Sequence, residues 1–247
     1  MTKAAFPRNA VLDEVGSTND LARVMGEEGA PHGSWISAKR QTGGRGRMGR
    51  EWRSNEGNLF LSVVLRPPRE FPMTWVPLAV ALAVHETAAA LRPDADLVLK
   101  WPNDLGVRDR KLGFRKVGGI LCEGVGSASG SFVVAGIGVN CAIAPETDQP
   151  TASLGVDVEK FRPALLEKFP GLLSRPIEEI RADYARASLL RRGDAIAWRD
   201  LRLDADAPDF TGEFENYGDH GELLAREEGS AEIKRLYSEE IKLRLKR

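Results

Sequence analysis

Apolar runs separated by glycine- and proline-rich turns dominate the first two thirds of the chain. Short runs that are rich in β-branched residues and bounded by turn residues predict strands. The predicted strands are residues 11–15, 34–39, 58–65, 97–100, 120–125 and 131–139. Residues 73–91 are rich in alanine and carry a wide apolar surface, which predicts a long helix. Shorter helices are predicted over residues 21–26, 161–173 and 176–187.

Near Arg192 the pattern changes to short strand-like pieces separated by turn-forming residues. These pieces are residues 195–198, 211–217, 222–226, 231–236 and 240–245. Short strands with regular turns are typical of a small β-barrel. We therefore predict an α+β fold in two parts. Residues 1–191 form a domain with helices around a mixed sheet, and residues 192–247 form a small C-terminal β-barrel.

A stretch rich in glycine and arginine, QTGGRGRMGREW, follows the second predicted strand at residues 41–52. Arg45, Arg47 and Arg50 lie there among four glycines. Glycine lets the backbone approach a ligand closely, and successive exposed N–H groups form an anion-binding concavity. Arginine adds a charged fork that suits phosphate and carboxylate. Because the whole chain has a net charge of −1, this local positive charge favours a small, highly charged anion as ligand.

The same stretch contains a G-x-G-x-x-G pattern at Gly44, Gly46 and Gly49. A dinucleotide-binding fingerprint requires a helix directly after this pattern. A strand is predicted there instead, which argues against a Rossmann fold. The G-x-x-x-x-G-K-[ST] pattern is absent from the sequence, which excludes a P-loop NTPase. If the loop is considered alone, two alternatives to a small-anion site remain: a solvated flexible segment, or a patch that binds RNA phosphates.

Composition narrows the class of protein further. The 247-residue chain is 42% hydrophobic and 29% charged, which is ordinary for a globular protein with a substantial core. Cys122 and Cys141 lack CxxC spacing and lie in apolar runs, so buried reduced thiols are expected. The three histidines form no zinc pattern. No secretory leader and no run of about 18 apolar residues is apparent, so we expect a cytoplasmic protein without a membrane span.

Five motifs in order resemble the biotin–protein ligases, the family that attaches biotin to carboxylases. They are the residues 17–19 (STN), 44–52 (GRGRMGREW), 100–104 (KWPND), 116–121 (KVGGIL) and 136–140 (GIGVN). The resemblance is strong over roughly residues 10–145 and weak in the C-terminal third. It implies a class II synthetase-like catalytic domain that uses biotin as substrate and ATP and Mg²⁺ as cofactors. It also implies a biotin carboxyl carrier protein as partner. A homodimer is also common in the family.

The family reaction has two halves. The biotin carboxylate attacks the α-phosphorus of ATP, and a carrier lysine then attacks the biotinyl-adenylate. The implied catalytic residues are Lys116, Arg47 and Arg45. The implied biotin-binding residues are Ser17, Thr18, Asn19, Gln41, Gly44, Arg45, Gly46, Arg47, Lys116, Gly119, Gly136 and Gly138. The implied ATP- and adenylate-binding residues are Arg45, Arg47, Arg50, Trp52, Asn103, Lys116 and Asn140.

Several of these residues could have a structural role instead of a role in ligand binding. Ser17 and Asp20 resemble a helix-capping box, and Trp52 could be an ordinary core residue. Asp104 is a candidate for indirect contact with Mg²⁺ or for capping its turn. Trp101 is predicted to belong to the core.

The identity of the catalytic lysine also leaves a choice, because Lys111-Leu112-Gly113 is nearly a copy of Lys116-Val117-Gly118. Only the second copy leads directly into an apolar strand. The sequence therefore favours Lys116.

Two other functions compete with a biotin ligase. A lipoate ligase or octanoyl transferase has the same fold, but the spacing of arginines in the loop resembles the biotin branch. A biotin-sensing repressor carries an N-terminal helix-turn-helix, whereas the first motif here begins at Ser17 and leaves no room for one. The slightly acidic chain also disfavours DNA binding. We therefore expect no DNA partner.

Overall fold

The computed structural model describes residues 8–126, 130–200, 208–238 and 241–245. Seven strands form the larger sheet, in the order β1-β2-β3-β7-β6-β5-β4. Their bounds are β1 Ala10–Val15, β2 Trp35–Gln41, β3 Leu59–Leu65, β4 Leu97–Lys100, β5 Asp104–Asp109, β6 Gly113–Val125 and β7 Phe132–Val139. The β1–β2 pair is parallel and the remaining neighbours are antiparallel. The sheet is therefore mixed, as predicted.

Helices cover both faces of this sheet. The helices are α1 Thr18–Glu27, α2 Val76–Leu91, α3 Val158–Leu166, α4 Phe169–Leu172 and α5 Ile177–Ala187. Alternate residues of β3 separate the two faces, because successive side chains of a strand point to opposite sides. Leu61 and Val63 belong to the main core with α2, whereas Val64 belongs to a smaller core with Met25 of α1.

Helix α2 is the apolar centre of the main core. With the 3₁₀ turn Met73–Trp75 it forms a continuous helical segment that is long and apolar enough to cross a membrane by length and composition. Most of its residues are nevertheless buried against the sheet and against α3 and α5. Burial explains its composition, since a helix that is apolar all round lies in a core as readily as in a bilayer.

Five strands form a second, antiparallel sheet in the order β11-β10-β9-β8-β12. Their bounds are β8 Ala195–Asp200, β9 Phe210–Tyr217, β10 Leu223–Glu227, β11 Ile233–Leu236 and β12 Ile241–Leu245. The predicted strand over residues 240–245 begins at residue 240, which lies outside the described residues. The predicted barrel is not closed, because β12 pairs with β8 and, within the described ranges, does not pair with β11. Closure would require a matching stagger between these two edges.

The second sheet packs directly on the first part of the chain. Trp75 Nε1 donates a hydrogen bond to the Asp219 carbonyl (2.7 Å), and Trp101 Nε1 donates one to the Gly221 carbonyl (3.0 Å). The Tyr184 and Tyr217 rings meet edge to face at 5.0 Å. Trp101 is buried, as predicted. The domain boundary at residues 191 and 192 lies between α5 and β8 and stays a prediction, since one apolar core extends across it.

Three sequence predictions about elements need correction. Strand β5 was not predicted, and β6 begins at Gly113 rather than at residue 120. The predicted helix over residues 161–173 is two helices, α3 and α4. Charged residues in β5 and early β6 weaken the apolar pattern that identifies a strand, and this explains the first two errors. Both cysteines are free, as predicted, but Cys122 is only partly buried.

Candidate active site

A cavity of about 340 Å³ lies on the α1 side of the large sheet. Helix α1 covers this face over β2, β3 and β7, and the cavity extends from there toward β4. All the predicted site residues except Gly44 line it: Ser17, Thr18, Asn19, Gln41, Arg45, Gly46, Arg47, Arg50, Trp52, Asn103, Asp104, Lys116, Gly119, Gly136, Gly138 and Asn140. Segments that are distant in sequence thus meet around one space.

A buried polar network forms the α1 end of the cavity. The Thr18 amide and hydroxyl both donate to Gln41 Oε1, at 2.8 and 3.0 Å. The Ser62 hydroxyl lies 2.8 Å from Thr18 Oγ1 and 2.6 Å from Asn19 Oδ1. Asn19 Nδ2 donates to Glu123 Oε2 at 2.6 Å. These mutual bonds fix the orientation of each polar group before any ligand arrives.

Sequence reasoning missed Ser62 and Glu123. Ser62 is a polar residue at the centre of the apolar strand β3, with an exposed fraction of 0%. A buried hydroxyl needs a partner, and this requirement was the available signal. Glu123 interrupts the apolar run of β6 in the same way.

Ser17 occupies the N-cap position of α1, but its side chain makes no capping hydrogen bond. The capping-box alternative for Ser17 is therefore wrong. Asp20 instead binds the Arg45 guanidinium, with 3.1 Å between Oδ2 and Nη1. Ser17 is buried beside the cavity. Its hydroxyl thus belongs to the polar end of the site rather than to the helix cap.

Three glycines leave room on the sheet surface for larger side chains. A Cβ on Gly136 would lie 2.2 Å from Asn19 Oδ1. A Cβ on Gly138 would lie 2.4 Å from Trp52 Cε2, and one on Gly119 would lie 3.1 Å from Trp52 Cζ3. Gly136 therefore accommodates the Asn19 amide, and the other two accommodate the Trp52 indole.

The Trp52 ring forms an apolar wall that lies against β6 and β7 on one side. On its other side is the glycine- and arginine-rich loop of residues 43–50, the arginine loop. Trp52 Nε1 is buried and has no hydrogen-bond partner in the described part of the chain. Lys116 Nζ lies 5.3 Å from the ring centroid. The indole thus lies against glycines predicted to contact biotin. The predicted contact with adenine stays a prediction.

The arginine loop folds back on itself as a short hairpin. Gly46 N donates to the Arg50 carbonyl at 2.7 Å, and Trp52 N donates to the Gly44 carbonyl at 2.9 Å. A Cβ on Gly44 would lie 2.7 Å from the Trp52 carbonyl oxygen. Gly44 therefore shapes the loop and lies outside the cavity lining, and its predicted contact with biotin stays a prediction.

Arg47 links this loop to two other parts of the molecule. Its Nη1 donates to Asn103 Oδ1 at 3.3 Å, and its Nη2 donates to the Ser238 carbonyl beyond β11. Asn103 is held in turn, because its Nδ2 donates to the Ile120 carbonyl at 2.9 Å. The loop is therefore positioned by both the KWPND turn and the C-terminal sheet.

A β-bulge places Lys116 in the cavity. In the β5–β6 pair Leu105 opposes Gly118 but Gly106 opposes Lys116, so Val117 is the extra residue. Strict alternation would put Lys116 and Gly119 on opposite faces. The bulge restores a common face, and a Cβ on Gly119 would lie 3.3 Å from Lys116 Nζ.

The backbone of Lys116 is fixed on its other side as well. Its amide donates to the Pro150 carbonyl at 2.9 Å, and its carbonyl accepts from Ala152 N at 2.8 Å. Lys111, in contrast, is exposed in the turn between β5 and β6 and lies outside the cavity lining. The two similar sequence copies thus have different places in the fold.

Lys116 forms a shielded ion pair with Asp104. Their Nζ and Oδ1 atoms are 2.7 Å apart, and the side chains are 15% and 19% exposed. This Asp104 oxygen is not aligned for a hydrogen bond, so the contact is an electrostatic one. The carboxylate therefore holds the ammonium near Trp52 and Gly119.

Asn140 lines the cavity and also has a structural role. It is 3% exposed, and its Nδ2 donates to the Ala152 carbonyl at 3.0 Å. Its amide nitrogen donates to the Val117 carbonyl at 2.7 Å. Asn140 thus holds residues 150–154 against the bulge that carries Lys116. Its predicted contact with nucleotide stays a prediction.

The donors around the cavity limit how a metal could be held. Within the described ranges no group of three or more His, Cys, Asp or Glu side chains is suitably clustered. Glu51 and Asp104 are the carboxylates among the described lining residues, and Asp104 is paired with Lys116. Mg²⁺ commonly keeps its waters and is held through one or two carboxylates and substrate phosphates. The residues fit that mode, with Asp104 as the candidate ligand.

Desolvation of the sulfur makes both thiols poor nucleophiles, although Cys122 as a whole residue is only partly buried. This desolvation raises the pKa of Cys122 and of Cys141 to about 12. The reactive form of cysteine is the thiolate. Covalent catalysis through a cysteine is therefore not supported by this site.

The fold and site define an α+β protein with a small-molecule cavity that is polar at one end and cationic at the other. The model of the biotin/lipoate A/B protein ligase family matches residues 12–140. The chain belongs to this family.

Two curated relatives are similar over 60% of the chain. The biotin–[acetyl-CoA-carboxylase] ligase of Paracoccus denitrificans is 38% identical over 154 residues, which are 60% of this chain and 62% of the relative. The ligase of the same name from Mycobacterium tuberculosis is 37% identical over 155 residues, which are 60% of this chain and 54% of the relative. The match thus spans less than two thirds of either relative.

A solved structure is similar over nearly the whole chain. The biotin protein ligase from Aquifex aeolicus in complex with biotin and ATP has a TM-score of 0.77 and 26% identity. The match covers 96% of this chain and 98% of that one. The likeness includes the second sheet, which the family model does not reach.

Proposed function

We propose that this chain is an ATP-dependent biotin–protein ligase. It activates biotin as biotinyl-5′-adenylate and transfers the biotinyl group to a lysine of a biotin carboxyl carrier domain. The observation that carries the proposal is the polarity of the cavity. A buried hydrogen-bonding network at one end and Lys116 with the arginine loop at the other suit a molecule with a polar ring, an apolar tail and an anionic terminus.

The polar end favours biotin over lipoate. A ureido ring offers two N–H donors and a carbonyl acceptor, which Ser17 together with Thr18, Asn19 and Gln41 of the network can satisfy. A dithiolane ring would leave these groups short of partners. Sites built to hydrogen-bond a substrate reject an analogue that lacks those groups by large factors. A lipoate or octanoate transferase of the same fold is therefore the second candidate.

In the first half-reaction the biotin carboxylate attacks the α-phosphorus. The bond between the α-phosphorus and its bridging oxygen breaks, and pyrophosphate leaves. Lys116 orients the carboxylate and stabilises negative charge on the α-phosphoryl oxygens, as preorganised cations do. Arg45 and Arg47 close over the phosphate from the loop. Bound Mg²⁺ supplies charge neutralisation on the phosphates.

In the second half-reaction a neutral carrier lysine attacks the acyl carbon. The bond between that carbon and the AMP oxygen breaks, AMP leaves, and the amine loses a proton. Neither half requires a nucleophile from the enzyme. Positioning is the main contribution of this site.

The proposed partners are biotin, ATP and the carrier domain of a carboxylase, in the cytoplasm. DNA is not among them. A homodimer through the large sheet stays a prediction, which light scattering with and without ligands would check.

Exchange of labelled pyrophosphate into ATP, dependent on biotin, tests adenylate formation. A mass increase of a carrier domain tests transfer. Exchange with lipoate but not biotin would replace this proposal with the second candidate. Exchange with neither substrate would contradict both.

A further inference from the structure

Lys100 lies at the end of a continuous row across the sheet. It pairs with Asp104 across the β4–β5 turn, and Asp104 pairs with Gly119 of β6. Gly119 pairs with Gly138, and Gly138 with Phe60. Residues directly opposite each other on neighbouring strands share a face. Lys100 therefore lies on the cavity face, and its side chain lines the cavity.

The Lys100 ammonium has few partners for a half-buried charge. Within the described ranges it forms no hydrogen bond and no ion pair, and its near contact is the Phe114 ring, with 5.4 Å between Nζ and the centroid. Burial lowers the pKa of Lys100, Asp104 partly opposes this effect, and Lys116 and Arg50 add to it. An ammonium in this position costs stability, which suggests that a ligand compensates for it.

Charge at this end of the cavity is unbalanced. Asp104 is the carboxylate between the two lysines, and it already contacts Lys116 at 2.7 Å. Arg50 lies close enough to influence Lys100. Among the charged groups that influence Lys100, one carboxylate thus stands against two further cations, so the surroundings of Lys100 favour a multiply charged anion.

The order of strands indicates which part of that anion meets Lys100. Apart from Glu123 of β6, the polar network lies on α1, β2 and β3, and the Trp52 wall covers β7 and β6. Lys116 follows on β6, and Lys100 is two strands further, on β4. Strands are about 4.8 Å apart, so this offset is about 10 Å. A substrate lying across the strands would place its carboxylate and α-phosphate at Lys116 and its remaining phosphates nearer to Lys100.

We propose that Lys100 binds the β- and γ-phosphates of ATP and the pyrophosphate formed from them. The inference rests on the proposed ligase function and adds a specific residue for the leaving group. Lys100 neutralises the negative charge that develops on pyrophosphate as its bond to the α-phosphorus breaks. It makes no contact with the biotinyl-adenylate that remains.

The test separates the two half-reactions in Lys100→Met, Lys100→Arg and the exposed control Lys111→Met. A lost charge-assisted contact costs about ten- to a hundredfold in affinity. Lys100→Met should raise the KM for ATP and for pyrophosphate in the exchange reaction by that factor. Lys100→Arg should recover part of the loss, and Lys111→Met should behave as wild type. Transfer from synthetic biotinyl-adenylate to a carrier should be unchanged in all three.

Slower transfer or weaker adenylate binding in Lys100→Met would overturn the proposal, because it would show a general or structural role. An unchanged KM for pyrophosphate would overturn it equally. Wild-type protein that fails to exchange pyrophosphate would instead contradict the proposed function itself. The two failures are thus distinguishable.

A second measurement needs no variant. Acetic anhydride labelling of wild-type protein, read by peptide mass spectrometry, reports access to each lysine. Inorganic pyrophosphate with Mg²⁺ should slow the labelling of Lys100, whereas biotin alone should not. Equal labelling with and without pyrophosphate, or protection by biotin alone, would refute the assignment.

Discussion

The Trp52 indole lies against the Cα of Gly138, so closely that a Cβ there would be 2.4 Å from Trp52 Cε2. This contact joins the end of the arginine loop to the centre of the sheet. It means that the size of one strand residue decides where the aromatic wall of the cavity lies. A change at Gly138 should therefore act on ligand binding through Trp52.

Gly138→Ala should weaken biotin binding, because the added methyl group displaces the indole. Overpacking of this kind costs about 1–3 kcal/mol, which corresponds to roughly five- to 150-fold in Kd. Gly124→Ala, on the neighbouring strand β6, is the matched control, since a Cβ there meets nothing within 4 Å. Calorimetric titration with biotin measures both. Equal affinities in the two variants would show that Trp52 does not line the biotin site.

Ser62→Ala should also weaken biotin binding. The change removes the hydroxyl between Thr18 and Asn19 and leaves buried polar groups short of a partner, at a cost of about 1–3 kcal/mol. Ser37→Ala is the control, because Ser37 is equally buried but bonds the Phe60 carbonyl at 2.7 Å, away from the cavity lining. Both variants should lose thermal stability. Ser62→Ala alone should lose affinity, and a similar loss in Ser37→Ala would contradict this reading.

Arg47→Gly should weaken retention of the adenylate more than its synthesis. Arg47 ties the loop to Asn103 and Ser238, and the change removes both ties as well as a charge near the phosphate. Losing a charge-assisted contact costs about 1.5–3 kcal/mol, or roughly ten- to a hundredfold faster escape. Released adenylate acylates exposed lysines, so labelling of an added bystander protein should rise. Bystander labelling that equals the wild-type level would refute the idea.

The sequence predicted the mixed sheet, the long core helix and about half of the residues that line the cavity. These features follow from apolar periodicity and from the resemblance in the motifs. Charged hairpins are harder to predict, because β5 and early β6 lack an apolar run, and their pairing depends on contacts with distant strands. The open second sheet depends on the pairing of β12 with β8, which strand lengths alone do not specify.

The positions of individual side chains were harder to predict from the sequence. The bulge at Val117 decides that Lys116 and Gly119 share a face, and no local pattern marks an extra residue in one strand. The ion pair with Asp104 and the hydrogen bond from Ser62 join residues from different strands. Lys100 belongs to the KWPND motif, but the sequence predicts no role for it, since only the folded structure shows that its ammonium has no hydrogen bond or ion pair with the described residues.

Lys116→Ala should abolish adenylate formation, whereas Lys111→Ala should have little effect. The bulge and the two backbone hydrogen bonds to residues 150 and 152 fix the direction of Lys116. Asp104 then holds its ammonium beside the proposed path of the carboxylate. A positioned cation of this kind is worth about 2.7–4 kcal/mol in the transition state, or roughly a hundred- to a thousandfold in rate.

Lys111 is exposed in the β5–β6 turn, where a charge is screened by solvent and contributes little. Pyrophosphate exchange in both alanine variants tests the assignment, and thermal melting checks that each variant folds. Because Lys116→Ala also leaves Asp104 without its ion pair, the Lys116→Ala/Asp104→Asn double variant is a necessary control. Recovery of exchange in the double variant would assign the defect to the stranded carboxylate rather than to the lost ammonium. Loss of exchange in Lys111→Ala alone would move the catalytic lysine to the turn and contradict the geometry of this site.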